Sequence, residues 1–147
     1  MIYKQPSIYK MGGNDKYTFK EYDYTPLTKY ASYFSPHLKN LKSCSNGILQ
    51  LSGSIKVING FTPHYDPSDG EHSSSNWPLV FYFENVDYLE NESNQSTLFF
   101  HSSTPPNIDT IIAVIEIVPS DRKVYVRFNA SYAIDPEYYH LMGTFIT

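Results

Sequence analysis

The clearest structural pattern in the sequence is IIAVIEIV (Ile111–Val118), followed by the polar turn PSDRK (Pro119–Lys123) and by VYVRF (Val124–Phe128). In the last segment three apolar residues alternate with Tyr125 and Arg127, which is the two-residue period of a β-strand. Two such runs around a short polar turn predict an antiparallel hairpin.

The first strand of this hairpin is apolar on both of its faces, apart from Glu116. A small β-domain has no spare helix to cover a second apolar face. We therefore expect a second copy of the chain to cover it, in a homo-oligomer whose interface contains Ile112, Val114 and Val118.

Further strand patterns occur throughout residues 43–147. Apolar residues alternate from Leu49 to Val57, which predicts one half-buried strand. Two apolar-aromatic runs, Leu79–Phe83 and Thr97–His101, have the length of core strands, and we expect them to pair. A final strand is predicted for Leu141–Thr147, and residues 62–76 read as a long surface loop. The pattern predicts an all-β antiparallel sandwich.

Residues 1–42 have a different composition. They contain seven of the fourteen tyrosines and seven Lys against three acidic residues, a net charge of +4, whereas residues 43–147 carry −8. Such a segment holds too little apolar surface for a core of its own. We therefore predict an N-terminal anchor arm and linker at residues 1–42 and a β-sandwich head domain at residues 43–147.

The beginning of the arm contains a short repeat, in which Ile2-Tyr3-Lys4 recurs as Ile8-Tyr9-Lys10. Tyrosine offers a large amphipathic contact surface, and an extended strip of Tyr and Ile suits a groove or a sheet edge of another protein. We predict that Tyr3, Lys4, Tyr9 and Lys10 bind another protein, and a disordered tail is the alternative.

The second half of the arm carries two helix start signals, Thr25-Pro26 and Ser35-Pro36. Apolar residues at helical spacing follow the first signal, and Leu38 and Leu41 follow the second. One or two short helices are therefore predicted between the arm and the domain.

The sequence excludes several classes of function. A single cysteine, Cys44, rules out an internal disulfide and a cysteine-rich zinc module. No apolar run approaches the ~20 residues that span a bilayer, and the first residues do not resemble a secretory signal. Motifs for nucleophilic catalysis and phosphate binding are missing, and acidic pairs such as Asp135 and Glu137 are common in charged loops. We predict a protein that is not an enzyme and has no cofactor.

A metal ion and a nucleic acid are two further candidate ligands. His64, Asp66 and His72 lie in one loop and have the chemistry of zinc ligands, but their spacing matches no known metal motif, so a solvated loop is favoured. The basic arm with its tyrosines suits nucleic acid, but the acidic body opposes such binding. We predict neither a metal site nor a nucleic-acid partner.

The segment NGILQLSGSI (Asn46–Ile55), the late hairpin and the final strand GTFIT (Gly143–Thr147) resemble the C-terminal heads of bacteriophage tail-fibre and head-fibre proteins. The resemblance covers residues 43–147. It implies a trimeric, jelly-roll-like β-sandwich that an N-terminal arm anchors to the capsid or tail of a virion, where the head contacts the host surface.

A carbohydrate-binding, lectin-like module is the alternative to a fibre. Aromatic side chains stack on sugar rings, and the candidates are Tyr65, Trp77, Tyr82, Tyr138 and Tyr139. Of these, Tyr65 and Trp77 are the predicted contacts with a host surface or glycan. Each such aromatic is more often a core or interface residue than a sugar platform.

Overall fold

The computed structural model describes residues 17–35, 39–69, 76–90, 94–102, 110–129, 133–141 and 143–146. These residues form two antiparallel sheets around a shared apolar core. The strands are β1 (Phe19–Asp23), β2 (Thr25–Pro26), β3 (Lys39–Cys44), β4 (Ile48–Leu51), β5 (Ser54–Lys56), β6 (Leu79–Phe83), β7 (Asn94–Ser102), β8 (Thr110–Val118), β9 (Lys123–Phe128), β10 (Tyr138–Leu141) and β11 (Gly143–Ile146). Short 3₁₀ helices occupy Thr28–Tyr33 and Pro119–Asp121.

The smaller sheet has the strand order β1-β3-β4-β11, and the larger sheet has the order β2-β6-β9-β8-β7-β10-β5. The prediction of an all-β antiparallel sandwich is confirmed at this level. The decisive hairpin is also confirmed, because β8 pairs with β9 from Ala113 opposite Phe128 to Val118 opposite Lys123. Arg122 closes its turn with a left-handed backbone, φ 55°.

The predicted pairing of the strands at Leu79–Phe83 and Thr97–His101 is wrong. Both runs form strands, but β6 pairs with β2 and β9, whereas β7 pairs with β8 and β10. The chain between β6 and β7 is long enough to cross the sheet, so their proximity in sequence does not decide their pairing. The β8–β9 hairpin, with its short turn, lies between them instead.

The strand predicted from Leu49 to Val57 passes from one sheet to the other. It bends at Gly53, where φ is +79°, so β4 belongs to the smaller sheet and β5 to the larger one. The chain makes a second crossing between β10 and β11, which pair with β5 and β4 respectively. The Leu141 N–H donates to the Gly53 carbonyl at 2.9 Å, which joins the two crossings.

The structure corrects the predicted boundary between arm and domain. A boundary at residues 42 and 43 would cut β3, and β1 and β3 make up half of the smaller sheet. Tyr24, Tyr30 and Phe34 are buried in the main core. The domain therefore includes β1 and the residues between β1 and β3 that the structure describes. Residues 1–16, with the predicted contacts of Tyr3, Lys4, Tyr9 and Lys10, lie outside the described residues, and those contacts remain a prediction.

The two predicted helices have different outcomes. The first is present only as the 3₁₀ helix at Thr28–Tyr33, which buries Tyr30, and its predicted start at Thr25-Pro26 is wrong, because these two residues form strand β2. The second is wrong in its last part, because Leu41 lies in strand β3 with 1% of its surface exposed. Pairing with β1 and β4 supplies hydrogen-bond partners for the backbone N–H and C=O groups of β3. Tertiary contacts of this kind override local helix signals. Residues 36–38 lie outside the described residues.

Aromatic side chains join the segment of residues 24–34 to the sheets. Phe34 contacts three rings, with centroid distances of 5.8 Å to Tyr24, 5.5 Å to Phe61 and 6.3 Å to Phe81. Phe81 continues the cluster into the larger sheet, where its ring lies 6.2 Å from Phe100. Edge-to-face and stacked pairs of this kind stabilise a core beyond the area that they bury.

The outer face of the larger sheet is covered in part by the chain itself. Val118 is fully buried in a small cluster with Leu79 and Tyr125. Nearby, the Arg127 Nε donates to the Glu116 carboxylate at 3.4 Å, and both side chains are almost completely buried. Val118 is therefore not free to form the predicted oligomer interface.

Electrostatic contacts link the two sheets at one end of the sandwich. The Asp87 carboxylate accepts hydrogen bonds from Lys20 on β1 and from Arg122 in the β8–β9 turn. These two partners hold the pKa of the Asp87 carboxyl below its ordinary value, with Lys20 as the larger cause. The contact ties the edge of the smaller sheet to the central hairpin of the larger one.

We expect Phe34→Ala to lower the free energy of unfolding by about 3–5 kcal/mol, because it removes a ring from the main core. Urea denaturation of the full chain measures this change. Tyr17→Ala is the matched control, since Tyr17 is 65% exposed in the same region and its loss should cost less than ~0.5 kcal/mol. Equal stability of the Phe34→Ala variant and the parent chain would mean that residues 24–34 do not belong to the domain.

Candidate functional site

Tyr65 and Trp77, the two predicted surface-contact residues, lie in one shallow pocket. The pocket has a volume of about 160 Å³, and His64, Asn76 and Asn129 also line it. It lies where β6 begins and β9 ends. Tyr65 is 44% exposed and Trp77 is half-buried, so both rings are accessible from solvent.

Tyr30 holds the loop that carries Tyr65. The Tyr30 hydroxyl accepts a hydrogen bond from the His64 N–H at 3.0 Å and donates to the His64 carbonyl at 3.4 Å. Because Tyr30 is itself 5% exposed and packs against Phe61 in the core, its ring is a rigid support. The backbone one residue before Tyr65 is therefore attached to the core.

The next part of the loop is held by charges. The Asp66 Oδ1 accepts hydrogen bonds from the Ser68 N–H at 2.9 Å and from the Ser68 hydroxyl at 2.7 Å, which closes a tight turn. The Lys29 ammonium lies 3.6 Å from Asp66 and also pairs with Asp69. The contacts with Ser68, and then Lys29, lower the pKa of Asp66, and the hydrogen bond to Asp69 raises the pKa of Lys29.

The other wall of the pocket is held by the larger sheet. The Arg127 Nη1 donates to the Trp77 carbonyl at 3.2 Å, and the Phe128 N–H donates to the Pro78 carbonyl at 3.0 Å. Arg127 is 1% exposed and is fixed in turn by Glu116. The larger sheet therefore anchors the backbone at Trp77.

The pocket combines two aromatic rings with two amides and an imidazole. Aromatic faces bind the apolar C–H surface of a ligand, and amides both donate and accept hydrogen bonds. The small volume suits one ring-sized group, since pockets for drug-sized ligands span roughly 300–1,000 Å³. This set of groups has the chemistry to contact neutral, hydroxyl-rich molecules.

The other aromatic candidates have different positions. Tyr139 is 1% exposed and donates to the Asp135 carbonyl at 3.1 Å, so it is a core residue. Tyr138 is 47% exposed, and the Lys56 ammonium lies 5.0 Å from its ring, away from the pocket residues. Tyr82 lies in a separate cleft beside Tyr125.

Sequence reasoning missed Asn76, Asn129 and Tyr30. The two asparagines are ordinary loop residues in the sequence, and the sheet pairing alone brings them together. Tyr30 carried a signal, its helical spacing with Phe34, but that pattern did not point to the loop at His64.

Within the described ranges, no three His, Cys, Asp or Glu side chains are grouped as a metal site would require. His72 lies outside those ranges, and Asp66 is engaged by Ser68 and Lys29. The same part of the chain contains no helix long and apolar enough to cross a membrane.

Two residues of the predicted oligomer interface are partly accessible to solvent. Ile112 is 37% exposed, and Val114 is half-buried. Both lie on the outer face of β8, the face that also carries Glu116. They are separate from the residues that line the Tyr65–Trp77 pocket.

Comparison of the chain with protein-family models, with curated proteins and with solved structures found no match.

We expect Tyr30→Phe to release the loop while the fold is kept. Loss of the two contacts to His64 should lower the free energy of unfolding by about 1 kcal/mol. It should also increase quenching of fluorescence by acrylamide, because Trp77 is the one tryptophan of the chain and lines the pocket beside the loop.

Tyr24→Phe is the matched control. It deletes the same atom from the same core, but the Tyr24 hydroxyl donates to the Ser35 carbonyl at 2.9 Å, whereas that of Tyr30 donates to His64. This variant should lose similar stability without the change in Trp77 fluorescence. An identical fluorescence response from both variants would contradict the role given to Tyr30.

Proposed function

We propose that this chain is a non-enzymatic recognition domain that binds carbohydrate in the Tyr65–Trp77 pocket. The observation that carries the proposal is that two aromatic residues from separate segments of the chain share a solvent-accessible pocket with Asn76, Asn129 and His64. Aromatic residues with neighbouring amides are suited to the two faces of a sugar, one apolar and one rich in hydroxyls.

The support of the pocket favours a binding role. Tyr30 and Lys29 hold one wall, and Arg127 holds the other. A wall that is fixed before the ligand arrives loses little conformational entropy on binding. His64 is the lining side chain that can transfer protons near neutral pH, but among the described lining residues no carboxylate or nucleophilic side chain accompanies it, so the chemistry of the pocket is suited to binding more than to catalysis.

Binding to a glycan array by the full chain tests this function. We expect Trp77→Ala to weaken binding of any captured glycan roughly tenfold or more, about 1.4 kcal/mol or more in binding free energy, because a stacking surface is lost. Tyr138→Ala is the control, since Tyr138 is an exposed aromatic outside the pocket. Equal loss of binding in both variants, or none in either, would contradict the proposed site.

We further propose that the domain serves as the head of a short bacteriophage fibre or virion decoration. The resemblance of Asn46–Ile55, the late hairpin and the final strand to phage fibre heads supports this setting. In it the sandwich is a jelly-roll-like head, and the basic tyrosine-rich start of the chain anchors it to a capsid or tail protein. The glycan would then belong to the host surface.

The partly exposed Ile112 and Val114 favour a homo-oligomer in this setting, with a trimer as the state that the resemblance implies. Burial of such side chains between copies stabilises an assembly by ~25 cal/mol per Å² of apolar surface. The interface proposed now contains Ile112 and Val114 without Val118, which the chain itself buries.

Native mass spectrometry of the full chain and of Ile112→Asp tests the assembly. We expect a trimer for the parent chain and a monomer for the variant, because an unpaired charge in an apolar interface is strongly unfavourable. Ile112 is a better position for this test than Val114. Val114 lies opposite Arg127 in the sheet, so the guanidinium would neutralise an Asp at position 114. Ile58→Asp, at another exposed isoleucine, should stay trimeric. A monomeric parent chain would exclude the trimeric head.

A further inference from the structure

A second concave site lies on the outer face of the larger sheet, and nothing above assigns it a ligand. We call it the Tyr82–Tyr125 cleft. It has a volume of about 550 Å³, within the range of roughly 300–1,000 Å³ that is typical of small-molecule sites. Its lining residues are Leu27, Ser68, Asp69, Leu79, Tyr82, Asp121, Lys123 and Tyr125.

The floor of the cleft is aromatic and apolar. Tyr82 on β6 and Tyr125 on β9 are directly opposite each other in the sheet, and their ring centroids are 6.3 Å apart with planes inclined by 46°. Leu27 and Leu79 pack beside them. Burial, and after it the charge of Glu84, raises the pKa of the Tyr82 phenol.

The rim of the cleft is polar and holds both signs of charge. The Lys123 ammonium lies 5.3 Å from the Tyr82 ring and 6.0 Å from the Tyr125 ring. Asp69 and Asp121 also line the cleft. The Asp69 carboxylate is paired with Lys29, so the charges around the cleft balance, and this favours a neutral ligand. A neutral ligand with many hydroxyls would donate to the carboxylates and place its apolar face on the rings.

The cleft and the Tyr65–Trp77 pocket are neighbours along two segments of the chain. Trp77 lines the pocket and Leu79 lines the cleft, and two residues of extended chain span only ~7 Å. On the loop side, Tyr65 lines the pocket, whereas Ser68 lines the cleft. Both sites therefore border the start of β6 and the loop whose Asp66 and Asp69 pair with Lys29.

We propose that the Tyr82–Tyr125 cleft is a second subsite for a neutral oligosaccharide, of which another unit occupies the Tyr65–Trp77 pocket. The inference rests on the proposed carbohydrate-binding function. The ligand class is then a chain of neutral sugar units longer than a monosaccharide. Its rings stack on the partly exposed Tyr82, beside the buried Tyr125, and its hydroxyls are read by Asp69, Asp121 and Lys123.

Titration calorimetry with neutral oligosaccharides of increasing length tests the proposal. The probes are the glucose, cellulose-derived and chitin-derived series from one to six units, added to the full chain. We expect the affinity for one series to rise at least tenfold from the single unit to the longer members. Tyr82→Ala should abolish this rise and leave the affinity for the single unit unchanged, whereas Trp77→Ala should weaken every member.

A second variant, a control variant and melting curves separate a loss of binding in the cleft from a loss of folding. Lys123→Gln removes the charge and keeps a polar side chain that is one atom shorter, and it should weaken only the longer members, by about threefold or more. Tyr138→Ala should bind like the parent chain. Melting curves of all variants confirm that each is folded.

The outcomes separate the subsite from the function on which it rests. A length-dependent affinity that survives both Tyr82→Ala and Lys123→Gln overturns the subsite, while loss of binding in Trp77→Ala still supports the pocket. Loss of binding in Tyr82→Ala alone, with Trp77→Ala unaffected, overturns a ligand that spans both sites. Absence of binding by the parent chain to every member overturns the carbohydrate function and the subsite together.

Discussion

The aromatic cluster around Phe61 and Phe81 is the contact on which the rest of the structure depends. It joins the segment with Tyr24 and Phe34 to the larger sheet, with ring centroids 5.4 to 6.3 Å apart. Without these contacts that segment has too little apolar surface to stay ordered, because a short basic stretch does not offset its own conformational entropy. The cluster thus turns the end of a tyrosine-rich segment into part of the domain.

The same cluster also prepares the candidate site. Once Tyr30 is packed on Phe61, its hydroxyl is directed at the backbone of His64, and Lys29 lies within reach of two carboxylates in the loop. Two contacts, Tyr30 with Phe61 and Tyr30 with His64, therefore hold the surface loop against the core. Preorganised sites bind with a smaller entropic cost than loops that must be ordered by the ligand. The pocket and the cleft on either side of this loop share that advantage.

The outer face of the larger sheet carries three different features side by side. The buried Glu116–Arg127 pair anchors the backbone of Trp77, Tyr82 and Tyr125 form the floor of the cleft, and Ile112 remains partly exposed. A buried ion pair is seldom retained for stability alone, since apolar residues of equal volume often serve as well. Here the pair orients a carbonyl next to the pocket, and this links the packing of β8 and β9 to the proposed recognition surface.

The sequence by itself determined the β class, the β8–β9 hairpin and the inward faces of most strands. Two-residue periodicity and turn composition are local properties, and Leu49, Ile55 and Val126 are buried as their alternation predicts. It also selected Tyr65 and Trp77, because exposed aromatics in a polar loop stand out. Only the tertiary structure decided that Leu41 lies in a strand, that β6 and β7 are apart, and that Val118 is covered. These outcomes depend on which distant segments meet, through contacts such as Phe34 with Phe81, and local sequence does not encode that choice.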